Sequence, residues 1–445
     1  MVALVSDADL SLHGLSLHDL SLAAARALDE ADPLGKFRSA FHAPHTAAPD
    51  GPVYLVGNSL GLQPKRTREC ILQELDAWAA LGVEGHFAKA HQGKGPLEPW
   101  FSYHELFTQR GADLVGAQPG EVIAMGSLTL NLHLLMVSFY RPSKERSLIV
   151  IEGGAFPSDR YAVCSQARLH GFDPATTIVE LAPRPGEDTL RTQDMLAFIE
   201  QRGHEVALFC MGGVNFYTGQ LFDIRAITQA ARAKGAVVGW DLAHAAGNAL
   251  LHLHDDDVDF AAWCTYKYLN AGPGSVGMAF VHERHARAFE LPRLHGWWGN
   301  DPSSRFAMGR DFVQQAGAGG WQVSNAPVLS MAALHASLEL FAEATMPALR
   351  KKSDALTAML LAHVDDIARF KPGALTVITP RDPHERAAQL SLRIHADPAR
   401  LLALLLERGV FADFRRPDVV RVAPAPLYCS FEDVWRFAQV LRETA

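Results

Sequence analysis

Seven short apolar runs recur through the middle of the chain and constrain its fold more than any other feature. Each run is 4–6 residues long, and Val, Ile and Phe recur among them. The runs are Val122–Met125, Leu148–Ile151, Thr177–Leu181, Val206–Met211, Ala236–Trp240, Phe260–Cys264 and Gly277–Val281. Helix-compatible segments such as Thr192–Gln201 and Asp223–Lys234 separate several of them. Strands that alternate with helices predict an α/β domain with a mostly parallel, buried sheet.

The chain on either side of these runs has a different pattern. The segment from Asp32-Pro33 to Gly61 is rich in turn-forming Pro and Gly, and a long amphipathic stretch extends from Leu329 to about Phe370. The remaining C-terminal residues alternate strand-like and helical segments, which indicates a smaller α+β domain. These segments are Leu375–Ile378, Leu390–Ile394, Pro398–Arg408, Val419–Val422 and a closing helix from Phe431. We expect a large α/β domain over 56–330, a linking helix and small domain over 331–445, and residues 1–55 to contribute to the small domain.

Composition excludes several classes of protein. The 445 residues include 41 Lys+Arg and 49 Asp+Glu, and this net charge of −8 argues against a nucleic-acid binder. The five cysteines are far apart and form no CxxC pair, so neither a zinc site nor a disulfide framework is expected. No apolar run approaches the roughly 18 residues of a membrane span, and the first ten residues lack the basic residues of a secretory signal. We therefore expect a cytoplasmic protein that contacts neither membranes nor nucleic acid.

Three motifs suggest other chemistry, but each lacks the context that this chemistry needs. Gly57–Gly61 matches the GxSxG elbow of serine hydrolases, yet Gln63-Pro64 interrupts the helix that should follow. Gly272–Gly277 matches GxGxxG, but a strand-like run follows it instead of a helix. His252–Asp257 contains metal-ligating residue types, but a run alone does not make ligands converge. We interpret this last segment as a solvated acidic turn and predict no metal site.

An acid and a lysine end two neighbouring apolar runs. Asp241 follows Ala236–Trp240, and Lys267 comes just after Phe260–Cys264. Ligands of open α/β sheets gather at the edge where such strands end. A lone lysine is more often a solvated surface residue, but a lysine whose pKa is depressed by burial suits imine formation. An acid across the pocket suits a protonated pyridine nitrogen, so the pair indicates a pyridoxal 5'-phosphate (PLP) site in which the ring acts as an electron sink.

A phosphate-binding segment is expected beside the first apolar run. Gly126–Thr129 follows Val122–Met125 and precedes the helical segment Asn131–Phe139. A helix N-terminus offers free backbone N–H groups and the positive end of the helix dipole to an anion. An ordinary N-cap by Ser127 or Thr129 is the alternative interpretation, and it is compatible with phosphate binding.

Several longer segments that include these residues resemble the kynureninase family, PLP enzymes of fold type I within the class-V aminotransferase group. The similarity extends from about Asp32 to the C-terminal helix. The DxAH…K pattern is shared with cysteine desulfurases and selenocysteine lyases, whereas the FPSD, YKYLNAGPG and RVAPxPLY segments separate the families. The segments are VGNSLGLQPK (56–65), SLTLNLHLLM (127–136), AFPSDRYA (155–162), NFYTGQ (215–220), GWDLAHAAGN (239–248), DFAAWCTYKYLNAGPG (259–274), GWWGN (296–300), SNAP (324–327) and RVAPAPLY (421–428).

The resemblance implies a role for each matching residue. Lys267 would bind the cofactor aldehyde, Asp241 would pair with the pyridine nitrogen, and Tyr266 would donate or relay a proton. Arg421 would bind the substrate α-carboxylate through its planar fork. The remaining cofactor-binding residues would be Leu128, Thr129, Phe156, Asp159, His244, Trp297 and Asn325, and those near the aromatic end of the substrate would be Ser59, His86 and Asn325. The chain departs from many relatives at Gly212, where they place Ser or Thr, so a hydroxyl contact to the cofactor is missing there.

The resemblance also implies a reaction, a substrate and an assembly. The reaction is hydrolytic Cβ–Cγ cleavage of kynurenine or 3-hydroxykynurenine to alanine and the corresponding anthranilate, in tryptophan breakdown or NAD biosynthesis. His86 and Asn325 match members that prefer the hydroxylated substrate. The assembly is a homodimer with a shared active site, to which Trp297 and Asn325 could come from the partner. Two alternatives stay open: a PLP-dependent desulfurase or selenocysteine lyase that uses Cys429, and a non-catalytic PLP-fold protein.

Overall fold

The N-terminal segment contains few regular elements. The computed structural model describes residues 11–12, 15–17, 19–88 and 95–444. Two short strands pair antiparallel at the start, and a helix and a third short strand follow them. In chain order these elements are β1 (Ser11–Leu12), β2 (Leu15–Ser16), α1 (Leu22–Ala31) and β3 (Val53–Tyr54).

A seven-stranded sheet with helices between its strands follows. The elements are α2 (Arg66–Leu81), α3 (Thr108–Val115), β4 (Val122–Ala124), α4 (Leu128–Phe139), β5 (Leu148–Glu152), α5 (Pro157–Leu169), α6 (Pro174–Thr177), β6 (Ile178–Leu181), α7 (Thr192–Arg202), β7 (Val206–Gly212), α8 (Ile224–Ala233), β8 (Val237–Asp241), β9 (Phe260–Trp263) and β10 (Met278–Val281). The strand order is β4-β10-β9-β8-β7-β5-β6. Only β10 runs antiparallel to its neighbours β4 and β9, so the predicted α/β fold with a mostly parallel sheet is confirmed.

Both faces of this sheet are buried except at the edge strand β6, which explains why most of its strands are continuous apolar runs. Ile149 and Ile151 of β5 pack in one cluster with Leu135 of α4, while Val150 belongs to the cluster on the other face. Successive side chains of a strand point to opposite faces, so a strand that is buried on both faces needs apolar residues at consecutive positions. The seven apolar runs of the sequence are the seven strands of this sheet.

Two long helices and a second sheet complete the chain. The elements are α9 (Val328–Ala344), α10 (Met346–Phe370), β11 (Leu375–Val377), β12 (Leu390–Ile394), α11 (Pro398–Glu407), β13 (Val410–Phe411), β14 (Asp413–Arg415), β15 (Val419–Val422) and α12 (Phe431–Thr444). The amphipathic stretch is two helices and not one, because Thr345 has a φ of +63° and Pro347 lies in the first turn of α10. Proline is tolerated in a first turn but breaks a helix interior.

The two ends of the chain lie side by side. The second sheet is antiparallel, with the order β11-β12-β15-β14. Strand β3 pairs in parallel with β13, and α1 packs against α12. Within the described part of the chain, no helix has both the length and the apolar character that a bilayer crossing requires.

Candidate active site

The carboxyl edge of the large sheet brings Lys267 and His244 together. Strand β8 ends at Asp241 and β9 ends at Trp263, so the loops after both strands start at the same edge. The Lys267 Nζ lies 2.9 Å from the His244 Nε2. Burial and the charge of Lys267 lower the pKa of His244 well below its usual value. The ring is therefore neutral, and its Nε2 accepts a hydrogen bond from the lysine.

Two carboxyl groups, those of Asp159 and Asp241, lie next to each other in this site. Burial raises the pKa of Asp159 well above its usual value, and the neighbouring charge of Asp241 raises it further. Burial also raises the pKa of Asp241, although the Ala243 N–H, which donates to its Oδ1 at 2.7 Å, opposes the rise. Two carboxyl groups that hydrogen-bond to each other share one proton. The Oδ1 of Asp159 is buried and has no hydrogen-bond partner, so the pair can accept a further N–H.

A third buried carboxyl group, Glu152, lies at the same edge and escaped the sequence analysis. Glu152 is the last residue of β5, and its Oε2 accepts a hydrogen bond of 3.0 Å from the Gly212 N–H. Burial raises the pKa of Glu152 from 4.5 to about 7, and the charge of Asp241 adds to this rise. The position at a strand end was the available signal, because ligands bind where parallel strands end. At Gly212, where the family resemblance predicts that a hydroxyl contact is missing, the backbone N–H donates to a carboxyl group.

Two helix N-termini meet at this site, and the first turn of one of them contains Asp159. Helix α4 begins at Leu128 directly after its N-cap Ser127, and α5 begins just after Phe156. The Thr129 Oγ1 lies 2.8 Å from the Ser158 Oγ, so a hydrogen bond joins the first turns of both helices. The Ser127 side chain makes no capping hydrogen bond. Backbone N–H groups at such helix starts are suited to bind a phosphate.

Two aromatic side chains flank this edge. The ring of Phe156 is 46% exposed and meets Phe216 edge-on, with 5.2 Å between the ring centroids. The Lys267 Nζ lies 5.9 Å from the centroid of the Tyr266 ring. Burial raises the pKa of Tyr266, so its hydroxyl stays protonated and is able to donate. The half-exposed ring of Phe156, at the start of the helix that contains Asp159, is suited to stack on a flat heterocycle.

Arg421 on β15 is the most buried cation of the site, with only 1% of its surface exposed. Its Nη1 donates to the Phe216 carbonyl at 2.5 Å, and its Nη2 donates to the Ser59 Oγ at 3.2 Å and to the Asp413 carboxylate. The Ser59 hydroxyl donates to the same carboxylate. Ser59 therefore lies beside the guanidinium group of Arg421. Asp413 was not identified from the sequence, although it lies on the strand adjacent to Arg421.

His86 and Trp297 belong to a separate aromatic cluster. The His86 ring lies 4.7 Å from the Phe101 ring and 5.3 Å from the Trp100 ring, and Phe101 lies 6.4 Å from Trp297. Asn325 is exposed in the loop before α9. Among residues 19–88 and 95–444, no hydrogen bond joins His86, Trp297 or Asn325 to Lys267 or Arg421. Trp297 is partly exposed, and its Nε1 donates to the Arg305 carbonyl at 3.1 Å.

The acidic turn at His252–Asp257 differs from its sequence interpretation. Asp256 is buried and pairs with Arg225 at 2.7 Å, so the turn is ion-paired and not simply solvated. His254 lies near Glu121 and His282, a combination of residue types that can bind a metal. However, the Glu121 Oε1 already accepts hydrogen bonds from His254 and from the Glu283 N–H. These bonds give the cluster a structural role that links the strand ends.

Comparison with known proteins identifies the family. The family model described as Kynureninase C-terminal domain matches residues 349–441. A kynureninase from Myxococcus xanthus is 56% identical over 94% of this chain and 96% of its own length, and one from Koribacter versatilis is 55% identical over 93% and 95%. The cysteine desulfurase CsdA from Escherichia coli superposes with a TM-score of 0.72 over 92% of this chain and 98% of that chain, at 19% identity. The last similarity shows only the fold, which is that of fold type I PLP enzymes. The identity to the two kynureninases over nearly the whole length shows that this chain belongs to the kynureninase family.

Proposed function

We propose that this protein hydrolyses the Cβ–Cγ bond of L-kynurenine or 3-hydroxy-L-kynurenine, with PLP as cofactor, to L-alanine and the corresponding anthranilate. One water molecule is consumed, so the atoms of substrate and products balance. The observation that carries the proposal is the set of Lys267, the acid pair Asp159–Asp241 and the buried Arg421 in a chain of this family. A lysine, a pyridine-binding acid and a carboxylate-binding arginine are what PLP chemistry on an α-amino acid requires.

The residues at the sheet edge fit PLP. The unpartnered Asp159 Oδ1 and the Asp241 carboxylate suit the N–H of a protonated pyridine ring, and Phe156 suits its face. The start of α4, at Leu128 and Thr129, suits the phosphate, and Tyr266, His244, Trp297 and Asn325 complete the proposed set of cofactor-binding residues. When bound, PLP supplies an electron sink that stabilises negative charge developing on the substrate carbons.

The protein's own residues bind the substrate and move protons. Arg421 binds the α-carboxylate and orients the Cα–H bond toward Lys267. Lys267 takes the Cα proton, and neutral His244, 2.9 Å from its amine, holds that amine in position. Water adds to the γ-carbonyl carbon, and collapse of the hydrate breaks the Cβ–Cγ bond, releases the aromatic acid and leaves the bonding electron pair on Cβ. Tyr266, whose hydroxyl burial keeps protonated, then donates a proton to Cβ, and Lys267 returns its proton to Cα to complete L-alanine.

The finer assignment to 3-hydroxykynurenine is supported by the residue types at His86 and Asn325, which match family members with that preference. A ring hydroxyl that is buried needs a polar partner, and a site built to hydrogen-bond such a group discriminates strongly against the analogue that lacks it. His86 and Asn325 supply such partners. We also propose a homodimer in which Trp297 and Asn325 reach the partner's site, since Asn325 and the neighbouring side chains of Trp297 and Phe306 are exposed on the single chain.

We also propose that the protein works in the cytoplasm and serves tryptophan or NAD metabolism. The five cysteines are free and buried, which suits the reducing cytoplasm. The proposed activity serves either tryptophan breakdown or NAD biosynthesis, because both consume a kynurenine and use its anthranilate product.

Two alternative chemistries lack support at their proposed residues. Cys429 is buried, its Sγ donates to the Tyr54 carbonyl at 3.1 Å, and burial raises its pKa. A desulfurase needs a reactive, mobile thiolate, which this environment disfavours. Ser59 donates to Asp413 and accepts from Arg421, and the pKa of Asp413 is lowered by Arg421, so this carboxylate is a weak base and the Ser59 hydroxyl is suited to binding.

The test is turnover by the purified holoenzyme on both kynurenines, followed through anthranilate fluorescence. We expect release of anthranilate or its hydroxylated form, and we expect Lys267→Arg to abolish it. Lys234→Arg is the matched control, because Lys234 pairs with Glu200 on the surface and should turn over normally. Near-normal turnover by Lys267→Arg, or sulfide release from cysteine by the wild type, would refute the proposal.

A further inference from the structure

Arg421 has a carboxylate partner within its own chain. The register of β14 and β15 sets Asp413 opposite Arg421, and the Arg421 Nη2 donates to the Asp413 Oδ2. The Ser59 hydroxyl donates to the same oxygen. Although burial raises it, the pKa of Asp413 is lowered overall by Arg421 and Ser59, so the carboxylate is charged. The group that is expected to bind the substrate carboxylate is thus neutralised from within the chain.

Asp413 also contacts a second arginine. The Arg415 Nη2 lies 3.1 Å from the same Asp413 Oδ2, and the Arg415 side chain is 39% exposed. One carboxylate therefore bridges a buried and a half-exposed guanidinium group. The three groups carry a net charge of +1, since two arginines face one aspartate. A single additional carboxylate makes the set neutral and gives each arginine one anionic partner.

We propose that the Asp413 carboxylate is the ion-pair partner of Arg421 when no substrate is bound. When the substrate α-carboxylate binds Arg421, it displaces Asp413, which then pairs with Arg415 alone. The proposal rests on the proposed function of Arg421. A buried guanidinium group without an anion is strongly unfavourable, so the free protein needs Asp413 at this position. The substrate must then displace it, and Asp413 lowers substrate affinity without taking part in the chemical step. Arg415 reduces the cost of this exchange because it receives the displaced carboxylate.

The exchange predicts opposite effects of two substitutions. Asp413→Asn removes the competitor, so KM and the dissociation constant of L-alanine should fall by about tenfold, the effect of one charge-assisted hydrogen bond, while kcat changes far less. Arg415→Gln leaves Asp413 without a second partner, so both constants should rise. Asp418→Asn is the control, since Asp418 lies in the same hairpin but its nearest cation is Arg393, 3.9 Å away. If Asp413 only anchored Arg421, Asp413→Asn would raise both constants, and that result, or no change, overturns the proposal.

A second measurement does not depend on turnover. The melting temperature of the holoprotein is recorded with and without acetate or L-alanine for the wild type and for each variant. We expect both carboxylates to raise the melting temperature of Asp413→Asn more than that of the wild type, and that of Arg415→Gln less. Equal shifts in all three proteins overturn the exchange even if Asp413→Asn is too unstable for kinetics. Failure of the wild type to cleave either kynurenine would refute the proposed function alone, because the carboxylate-dependent shifts would still decide the exchange.

Discussion

Replacing Glu152 by Gln should stabilise the cofactor-free protein at neutral and alkaline pH. Glu152 is 4% exposed at the end of β5, and burial raises its pKa from 4.5 to about 7. Because the folded protein holds this proton more tightly than the unfolded chain, the contribution of Glu152 to stability is complete below pH 4.5 and is lost as the pH rises through 7. The rise in the pKa of Glu152 from 4.5 to about 7 on folding corresponds to about 3 kcal/mol of free energy of unfolding.

Glutamine resembles the protonated acid in shape but does not ionise, so it avoids this loss. We expect the melting temperatures of the wild type and Glu152→Gln to agree near pH 4.5 and to differ by roughly 3 °C, in favour of the variant, at pH 8. The assay is calorimetry of the cofactor-free protein at several pH values. Glu200→Gln is the control, because the Glu200 side chain is 76% exposed. Its replacement should not change the dependence of the melting temperature on pH. A difference that does not vary with pH would refute the reasoning.

Three further substitutions test the proposed site. Arg421→Lys should raise KM by about tenfold or more and change kcat less, because an ammonium group lacks the two-pronged contact of guanidinium; equal losses in KM and kcat would contradict this role. Phe156→Ala should weaken PLP binding by about tenfold in a fluorescence titration, since it removes the half-exposed ring face, and unchanged affinity would exclude stacking. His86→Trp should reduce the ratio of kcat/KM for 3-hydroxykynurenine to that for kynurenine. An unchanged ratio would show that His86 does not contribute to this substrate preference.

The seven strands of the large sheet were predictable because burial on both faces leaves a local mark on the sequence. Most positions of each strand are apolar, and turn residues or helices bound each run. The break at Thr345 was not predictable from the apolar pattern, which continues through it. The pairing of β3 with β13 also lacks a local signal, because two strands of only two residues each are too short for a periodicity.

The candidate site also contains residues that the sequence predicted and residues that it did not predict. Asp241 and Lys267 follow apolar runs, so the rule that ligands gather at strand ends identified them before the family resemblance did. The resemblance then supplied Asp159, Phe156 and Arg421 as candidates. It did not supply Glu152, although this residue lies at the same edge.

The sequence by itself determined the α/β class, the carboxyl edge as the place of chemistry and the residue types that PLP requires, because these depend on local patterns. Only the tertiary structure decided which charges face each other. Asp413 meets Arg421 through strand register, and Ser59 meets both across more than 350 residues of chain. The raised pKa values of Glu152 and Asp159 likewise follow from burial among other acids. Electrostatic energies depend on distance and desolvation, and both are properties of the folded chain.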